Sequence, residues 1–362
     1  METIADFEVQ YSQFLDPQGK PSSDIPDLAR DTDALIDMYR AMTETRVFDT
    51  KAINLQRTGK LGTYASSLGH EATHVGIAAA MQQDDLLAPS YRESGTLLYR
   101  GVRMDELLLY WGGDERGSDF AQSRHDFPYC VPIATQCLHA AGAAMAFQIR
   151  GEKRCAVSLN GDGGTSEGAF YEALNIAGAR DLPVIFIVIN NKWAISVPIE
   201  LQTGTQTLAQ KSVAAGIPGI QVDGNDVIAV RHWVDRALQR ARNGEGACLI
   251  ETVTYRLSDH TTADDASRYR KKEDVEAARK LEPFIRLRKY LMDLGVWDEK
   301  KEEALLEDTA NKVDAAVQKY LHTPKPPVES MFDYMYEELP ENLEEQRADA
   351  IRYADTNGGD HA

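Results

Sequence analysis

Cysteine is scarce in this chain: four occur in 362 residues, Cys130, Cys137, Cys155 and Cys248, with no CxxC pair among them. Spacing of that kind excludes a disulfide framework and reads as small buried hydrophobes of a reducing compartment. Long apolar runs are missing too. The longest, Val184 to Ile189, is far too short to span a bilayer, and the opening METIADFEVQ lacks the basic start and apolar core of a secretion signal. A cytoplasmic location without membrane attachment is therefore expected. Basic side chains are outnumbered, 39 against 57 acidic, for a formal charge of −18. Such a balance repels polyanions and argues against nucleic acid or an anionic membrane as partner. Any phosphate must then be held by local groups. No internal repeat is found.

What is present is enough apolar material, 43% of residues, to bury a substantial core. Residues 1–33 are polar and broken by Pro and Asp, and read as an arm draped on something else. From Ala34 helical spacing begins, and residues 34–273 are expected to form one α/β domain. Between about 136 and 256 helices alternate with strands: an Ala/Gly-rich helix, CAVSLN, a helix, VIFIVI, a loop, GIQV, a helix and CLIETVTYR. Alternation of that kind predicts a doubly wound, mostly parallel sheet with helices on both faces. The run Val184 to Ile189 does not alternate, as expected of a central strand covered on both sides. Phe170, Leu174 and Ala177 give the preceding helix one apolar stripe. Residues 274–345 are expected to be helical and to pack on that domain, with Leu306, Ala310, Val313 and Val317 on one face before the PKPP at 324–327; 346–362 read as a frayed tail.

The chemistry concentrates in GDGGTSEG, Gly161 to Gly168. A glycine turn after a strand, with Thr165 or Ser166 able to cap the next helix, resembles a phosphate cradle, yet Asp162 places an anion where a phosphate would go. A hard divalent cation resolves the conflict, because Mg²⁺ takes a carboxylate, carbonyls, water and substrate phosphates together. A right-handed crossover makes the strands ending at Asn160 and Asn190–Asn191 parallel and, if adjacent, brings their carboxyl ends to one rim. Asn191 can then offer its side-chain oxygen and the chain near Trp193 a backbone carbonyl. Taken singly, GDGG and NN are better read as tight turns; the pairing across one crossover makes the cation site the preferred reading.

GDG followed some thirty residues later by NN resembles the diphosphate-binding motif of thiamine-diphosphate enzymes. Further stretches are similar to the α subunit of the two-subunit decarboxylase of 2-oxo acid dehydrogenase complexes, nearest the pyruvate dehydrogenase type: PSYRESG at 89–95, IATQ at 133–136, NNKWAIS, TLAQKSVAAGIPGIQVDGND at 207–226 and TYRLSDHTTADDASRYR at 254–270. The similarity spans about residues 35–345. By this resemblance Asp162, Asn191 and the Trp193 carbonyl are the magnesium ligands. Gly163 and Gly164 touch the diphosphate, Tyr91 and Arg92 hold its oxygens, and His260 reaches both that group and the reacting centre as the catalytic residue. Ile133 contacts the aminopyrimidine through its backbone, and Arg256 is a further phosphate partner.

The same resemblance implies thiamine diphosphate and Mg²⁺ as cofactors, a β subunit completing an α2β2 enzyme, a lipoyl acyltransferase as acceptor, and pyruvate as the 2-oxo acid. The IATQ stretch also resembles branched-chain 2-oxo acid dehydrogenases, some of which bind K⁺ nearby, and acetoin is a third substrate choice. Animal-type pyruvate dehydrogenases carry a histidine where this chain has Ala65, so no catalytic role is assigned there. Thr261 lies where mitochondrial relatives carry a phosphorylated serine, a match treated as coincidence.

Other features carry blander readings. Leu257 to Arg270 is polar and read as a flap that orders with cofactor. The stripe MFDYMYEELP at 331–340 is by default core, with a subunit contact as the alternative. His70 to His74 read HEATH, the HExxH zinc motif of metalloproteases, with Glu71 as base; no third ligand follows, which makes this the remote alternative.

Overall fold

The computed structural model describes residues 1–356. The chain divides into two compact units, Met1–Gln318 and Lys319–Ala362. In the first unit eight strands are found: β1 (Gln10–Ser12), β2 (Leu86–Ala88), β3 (Ala156–Gly161), β4 (Val184–Asn190), β5 (Trp193–Ala194), β6 (Val197–Pro198), β7 (Gly219–Asp223) and β8 (Cys248–Val253). Six of them make one sheet in the order β1-β7-β8-β4-β3-β2, every pairing parallel. The mostly parallel α/β sheet expected from the alternation is thus present, and β4 is central as its unbroken apolar run requires.

Every residue of β4 is buried. Val184, Phe186 and Val188 join a core with Ala140, Ala144, Phe170, Leu174 and Ala177, from the helices Thr135–Arg150 and Gly168–Ala179. The alternate residues Ile185 and Ile187 point to the opposite face, where the helix Val227–Arg242 meets the strand. Burying each of the valine, isoleucine, leucine and phenylalanine side chains contributes about 1.5–3 kcal/mol. Outside that second layer runs the helix Glu71–Ala80, brought close because Gly76 has no Cβ; one would meet Val230 Cβ at 2.8 Å. Cys137, Cys155 and Cys248 are buried as expected, whereas Cys130 is only half-buried.

The N-terminal arm departs from expectation. Instead of draping on something else, β1 extends the sheet beside β7, with Gln10 level with Ile220, and Phe14 and Leu15 are buried. The anchor is Asp226. One of its oxygens accepts the Phe14 and Leu15 backbone N–H groups, each at 2.7 Å, and the other caps the helix Val227–Arg242 through Ile228 and Ala229 N–H. Arg286 adds a bond from Nη1 to the Leu15 carbonyl (3.1 Å) and an ion pair to Asp223 (2.7 Å). Polar composition hid this because the anchoring groups are backbone amides, which sequence does not vary.

Helix Glu299–Leu321 forms as expected but buries Leu305, Thr309, Val313 and Val317; Leu306 and Ala310 are exposed. Adjacent leucines offer two stripes one residue apart, and Thr309 disguised the correct one. In the second unit Met331, Tyr334, Met335 and Tyr336 are exposed, so the default core reading of that stripe does not hold. The tail expected from 346 is helical, within Glu341–Thr356; its remainder, 357–362, lies outside the described residues. Among the described residues no helix is long and apolar enough to cross a membrane.

Asp226 links arm, sheet and helix through one buried carboxylate. Asp226→Ala is expected to destabilise the protein by about 2–4 kcal/mol, with Asp226→Asn losing less because one oxygen acceptor remains. Denaturant midpoints measure this, and a loss below about 0.5 kcal/mol would remove Asp226 as the anchor.

Candidate active site

Parallel pairing of β3 with β4 puts Gly161 level with Ile189, so Asp162 and Asn191 leave the same, carboxyl-terminal rim on neighbouring strands. Asn190 and Asn191 divide the work by strand alternation. Asn190 turns inward, donating its Nδ2 to Glu251 at 2.6 Å and accepting the Lys192 N–H at 3.2 Å. Asn191 lines a cavity of about 520 Å³, its Oδ1 accepting the Trp193 N–H at 3.2 Å.

Nine of the ten residues singled out from sequence line this one cavity: Tyr91, Arg92, Ile133, Asp162, Gly163, Gly164, Asn191, Trp193 and His260. The tenth, Arg256, lies behind the wall. Its guanidinium donates to the Trp193 carbonyl at 3.4 Å, the Ile195 carbonyl at 2.7 Å and the Tyr269 hydroxyl at 2.8 Å, so it braces the Trp193–Ile195 loop. That loop needs bracing. Lys192 and Ile195 have φ of 75° and 54°, and a β-branched residue in the left-handed region is strained by about 1–3 kcal/mol. Across the cavity Ala134, next to Ile133, has φ of 61°.

Asp162 is 1% exposed, and its Oδ2 accepts only an amide, Gln202 Nε2 at 2.7 Å. Burial pushes its carboxyl above the ordinary value; the Gln202 bond, nearby backbone N–H groups and the more distant Arg256 charge oppose this. The glycines have a second reason to be glycine. A Cβ on Gly163 would meet Ala194 Cβ at 2.6 Å, and one on Gly164 would overlap the Asn160 carboxamide, whereas Gly161 faces open space. Close packing of the turn on its neighbours demands Gly163 and Gly164 before any ligand is considered. Neither Thr165 nor Ser166 caps the next helix: its first residue is preceded by Glu167, which makes no side-chain cap, and Thr165 Oγ1 donates back to the Asp162 carbonyl at 2.8 Å.

Arg92 is 6% exposed and donates to the Ser66 carbonyl at 2.6 Å, the His260 carbonyl at 2.9 Å and His260 Nδ1 at 3.1 Å. Arg92 and Arg256 form no ion pair among the described residues, so two nearly buried cations face this region without carboxylate partners. Burial and the neighbouring Arg92 lower the Arg256 pKa to about 10. In a chain of net charge −18 these arginines supply the local positive field that a phosphate would need. Because Arg92 can only donate, His260 Nδ1 accepts and the imidazole proton resides on Nε2. Burial and the two arginines lower the His260 pKa to about 4, so it is a neutral hydrogen-bond donor at pH 7 and not a ready acid. The segment Leu257 to Arg270 is tied down by Tyr269 to Asp264, His260 N–H to Asp264 (2.9 Å) and Arg270 to the Arg256 carbonyl.

Sequence similarity accords with this geometry. The family described as "Dehydrogenase E1 component" matches residues 39–329. The chain belongs to that family. It is 39% identical over 348 residues, covering 95% of this chain and 93% of the relative, to the pyruvate dehydrogenase E1 component subunit alpha of Staphylococcus aureus. The protein of the same name from Staphylococcus epidermidis is 38% identical over the same shares. Family members are thiamine-diphosphate-dependent 2-oxo acid dehydrogenases, and thiamine diphosphate is the cofactor the family implies.

The protease alternative fails on geometry. Glu71 is buried, pairs with Arg46 Nε at 2.5 Å and accepts the Gly69 N–H at 3.0 Å, so it is not free to act as a base. No group of three His, Cys, Asp or Glu able to hold a metal occurs among the described residues. Sequence reasoning missed Gln202, forty positions from Asp162, and Ser66 and Ile195, which contribute only carbonyls; no residue pattern announces such partners. It also set aside His70, which lines the cavity.

For the cofactor-free protein, His260 is expected to titrate near 4, against an ordinary 6.5. Between those values the unfolded chain binds more protons than the folded one. The stability this group contributes is therefore present above about 6.5 and lost as pH falls toward 4. Histidine-selective NMR, assigned with His260→Gln, checks it; a midpoint near 6.5 would contradict the arrangement.

Proposed function

We propose that this chain is the α subunit of a pyruvate dehydrogenase, holding thiamine diphosphate through Mg²⁺ and acting with a β subunit that completes the site. The observation that carries the reading is the pair Asp162 and Asn191, on one rim of two adjacent parallel strands, with the carboxylate buried and met by no cation among the described residues. A divalent ion fits this donor set. One carboxylate, one carboxamide and a carbonyl leave positions for phosphate oxygens and water, which suits a metal that keeps few protein ligands. The Trp193 carbonyl already accepts from Arg256 but has a second lone pair for the ion.

Arg92 and Tyr91 lie on the diphosphate side of the cavity in this reading, and His260 donates from Nε2 to the same group or to the reacting centre. Ile133 presents its backbone to the aminopyrimidine, and Arg256 acts by shaping the Trp193–Ile195 loop. Bound thiamine diphosphate supplies the electron sink for loss of carbon dioxide from the 2-oxo acid. The protein residues hold it, keep Asp162 ionised through the metal and exclude water. Exposed Ile133 and Val131 at the cavity, and exposed Tyr334, Met335 and Tyr336 in the second unit, fit surfaces left for the β subunit. The acetyl group then passes to the lipoyl group of an acyltransferase. Pyruvate is favoured over branched-chain acids and acetoin because the relatives described above carry pyruvate dehydrogenase in their names. K⁺ near Ile133–Gln136 belongs to the branched-chain alternative.

Asp162→Ala in the reconstituted α/β enzyme is expected to weaken Mg²⁺-dependent binding of thiamine diphosphate at least about 100-fold while leaving the circular dichroism spectrum unchanged. Calorimetric titration with and without Mg²⁺ measures it, alongside turnover of pyruvate, branched-chain 2-oxo acids and acetoin. Unchanged cofactor affinity would overturn the metal assignment, and turnover of acetoin alone would overturn the substrate.

A further inference from the structure

His70 is 1% exposed, and neither ring nitrogen has a hydrogen-bond partner among the described residues. It stands at the N-cap of helix Glu71–Ala80 but makes no capping bond, so helix formation does not account for a histidine there. Its ring packs edge-on against His74, centroids 5.5 Å apart, and the His74 nitrogens are likewise unpaired. Burying an imidazole without partners is unfavourable, and an apolar side chain would fill the same volume without that penalty. The two rings differ in one respect: His70 lines the cavity with Asp162, Arg92, Asn191 and His260, and His74 does not.

We propose that His70 contacts the substrate, its imidazole hydrogen-bonding an oxygen of the 2-oxo acid held in this cavity. The inference rests on the thiamine-diphosphate reading above and adds to it a residue that recognises the acid. Burial, then His74, Arg92 and Arg256, hold the His70 pKa far below its ordinary value, so the ring is neutral and offers one N–H and one lone pair. A neutral donor suits a carbonyl or carboxylate oxygen that must be oriented, whereas the diphosphate is matched by the charged Arg92. Nearby Ala65 contributes only a methyl to the cavity wall, leaving His70 as the polar group of the segment Ala65 to Glu71 that reaches the cavity.

The test compares wild type, His70→Gln and His70→Phe in the reconstituted α/β complex. Calorimetry measures affinity for thiamine diphosphate with Mg²⁺ and for acetylphosphonate, the phosphonate isostere of pyruvate; steady-state assays give KM and kcat. The phenylalanine variant is expected to raise KM for the 2-oxo acid and Kd for the phosphonate about tenfold or more, with kcat changed less than about threefold. Cofactor affinity should stay within about twofold, and glutamine, which keeps a donor and an acceptor, should restore most of the loss. If the phenylalanine variant does not fold, His70→Asn, polar but shorter, should give the same rise in KM. Unchanged KM and phosphonate affinity in folded variants would overturn the proposal, as would cofactor affinity falling in step with them. Wild type that binds no thiamine diphosphate would instead overturn the functional reading, and this assignment with it.

Discussion

A buried carboxylate without a cation is the constraint on which the rest of this site depends. Asp162 is almost fully buried at the end of β3, and the one side chain bonded to its carboxylate among the described residues is the Gln202 amide, while an ionised carboxylate in such surroundings needs a charge partner or must take up a proton. Among the described residues no side chain provides that partner. Arg92 and Arg256 are nearby, yet both are engaged with carbonyls, so their charge acts as a field and not as a contact. In the proposed reading, a metal ion carrying a diphosphate would supply the cation that Asp162 lacks and the anion that Arg92 lacks, with Arg256 adding its charge from behind the wall. Each half compensates the other's burial, so neither is sensible alone.

Much of the surrounding architecture serves that geometry. Parallel pairing of β3 with β4 sets the distance between the two strand ends, and the inward-facing Asn190, locked to Glu251, leaves Asn191 as the asparagine at the cavity. The strained residues Lys192 and Ile195 bend the chain on either side of Trp193, and Arg256 holds the bend through the Trp193 and Ile195 carbonyls. The buried apolar β4 and the helices on its two faces supply the rigidity for this placement.

The sheet, its central strand and the convergence of nine candidate residues on one cavity were legible because each depends on periodicity or on short-range motif spacing. Val184 to Ile189 announces a buried parallel strand by composition alone, and GDG with NN marks two ends of one crossover. What escaped involves groups that sequence leaves unspecified. The arm is fixed by backbone N–H groups on Asp226, and the Leu305 stripe competes with an equally apolar neighbour. Arg256 has the residue type of a phosphate ligand but a position that makes it a brace. Gly163 and Gly164 are required by Ala194 and Asn160, so a motif usually read as ligand chemistry is here also a packing requirement.

The most direct measurement replaces Mg²⁺ with Mn²⁺ in the α/β complex with thiamine diphosphate and locates the metal by anomalous diffraction. The account predicts one peak at the β3–β4 rim, about 2.0–2.3 Å from an Asp162 carboxylate oxygen, the Asn191 side-chain oxygen and diphosphate oxygens. Cofactor bound with the metal elsewhere, or with Asp162 left without a cation, would contradict it.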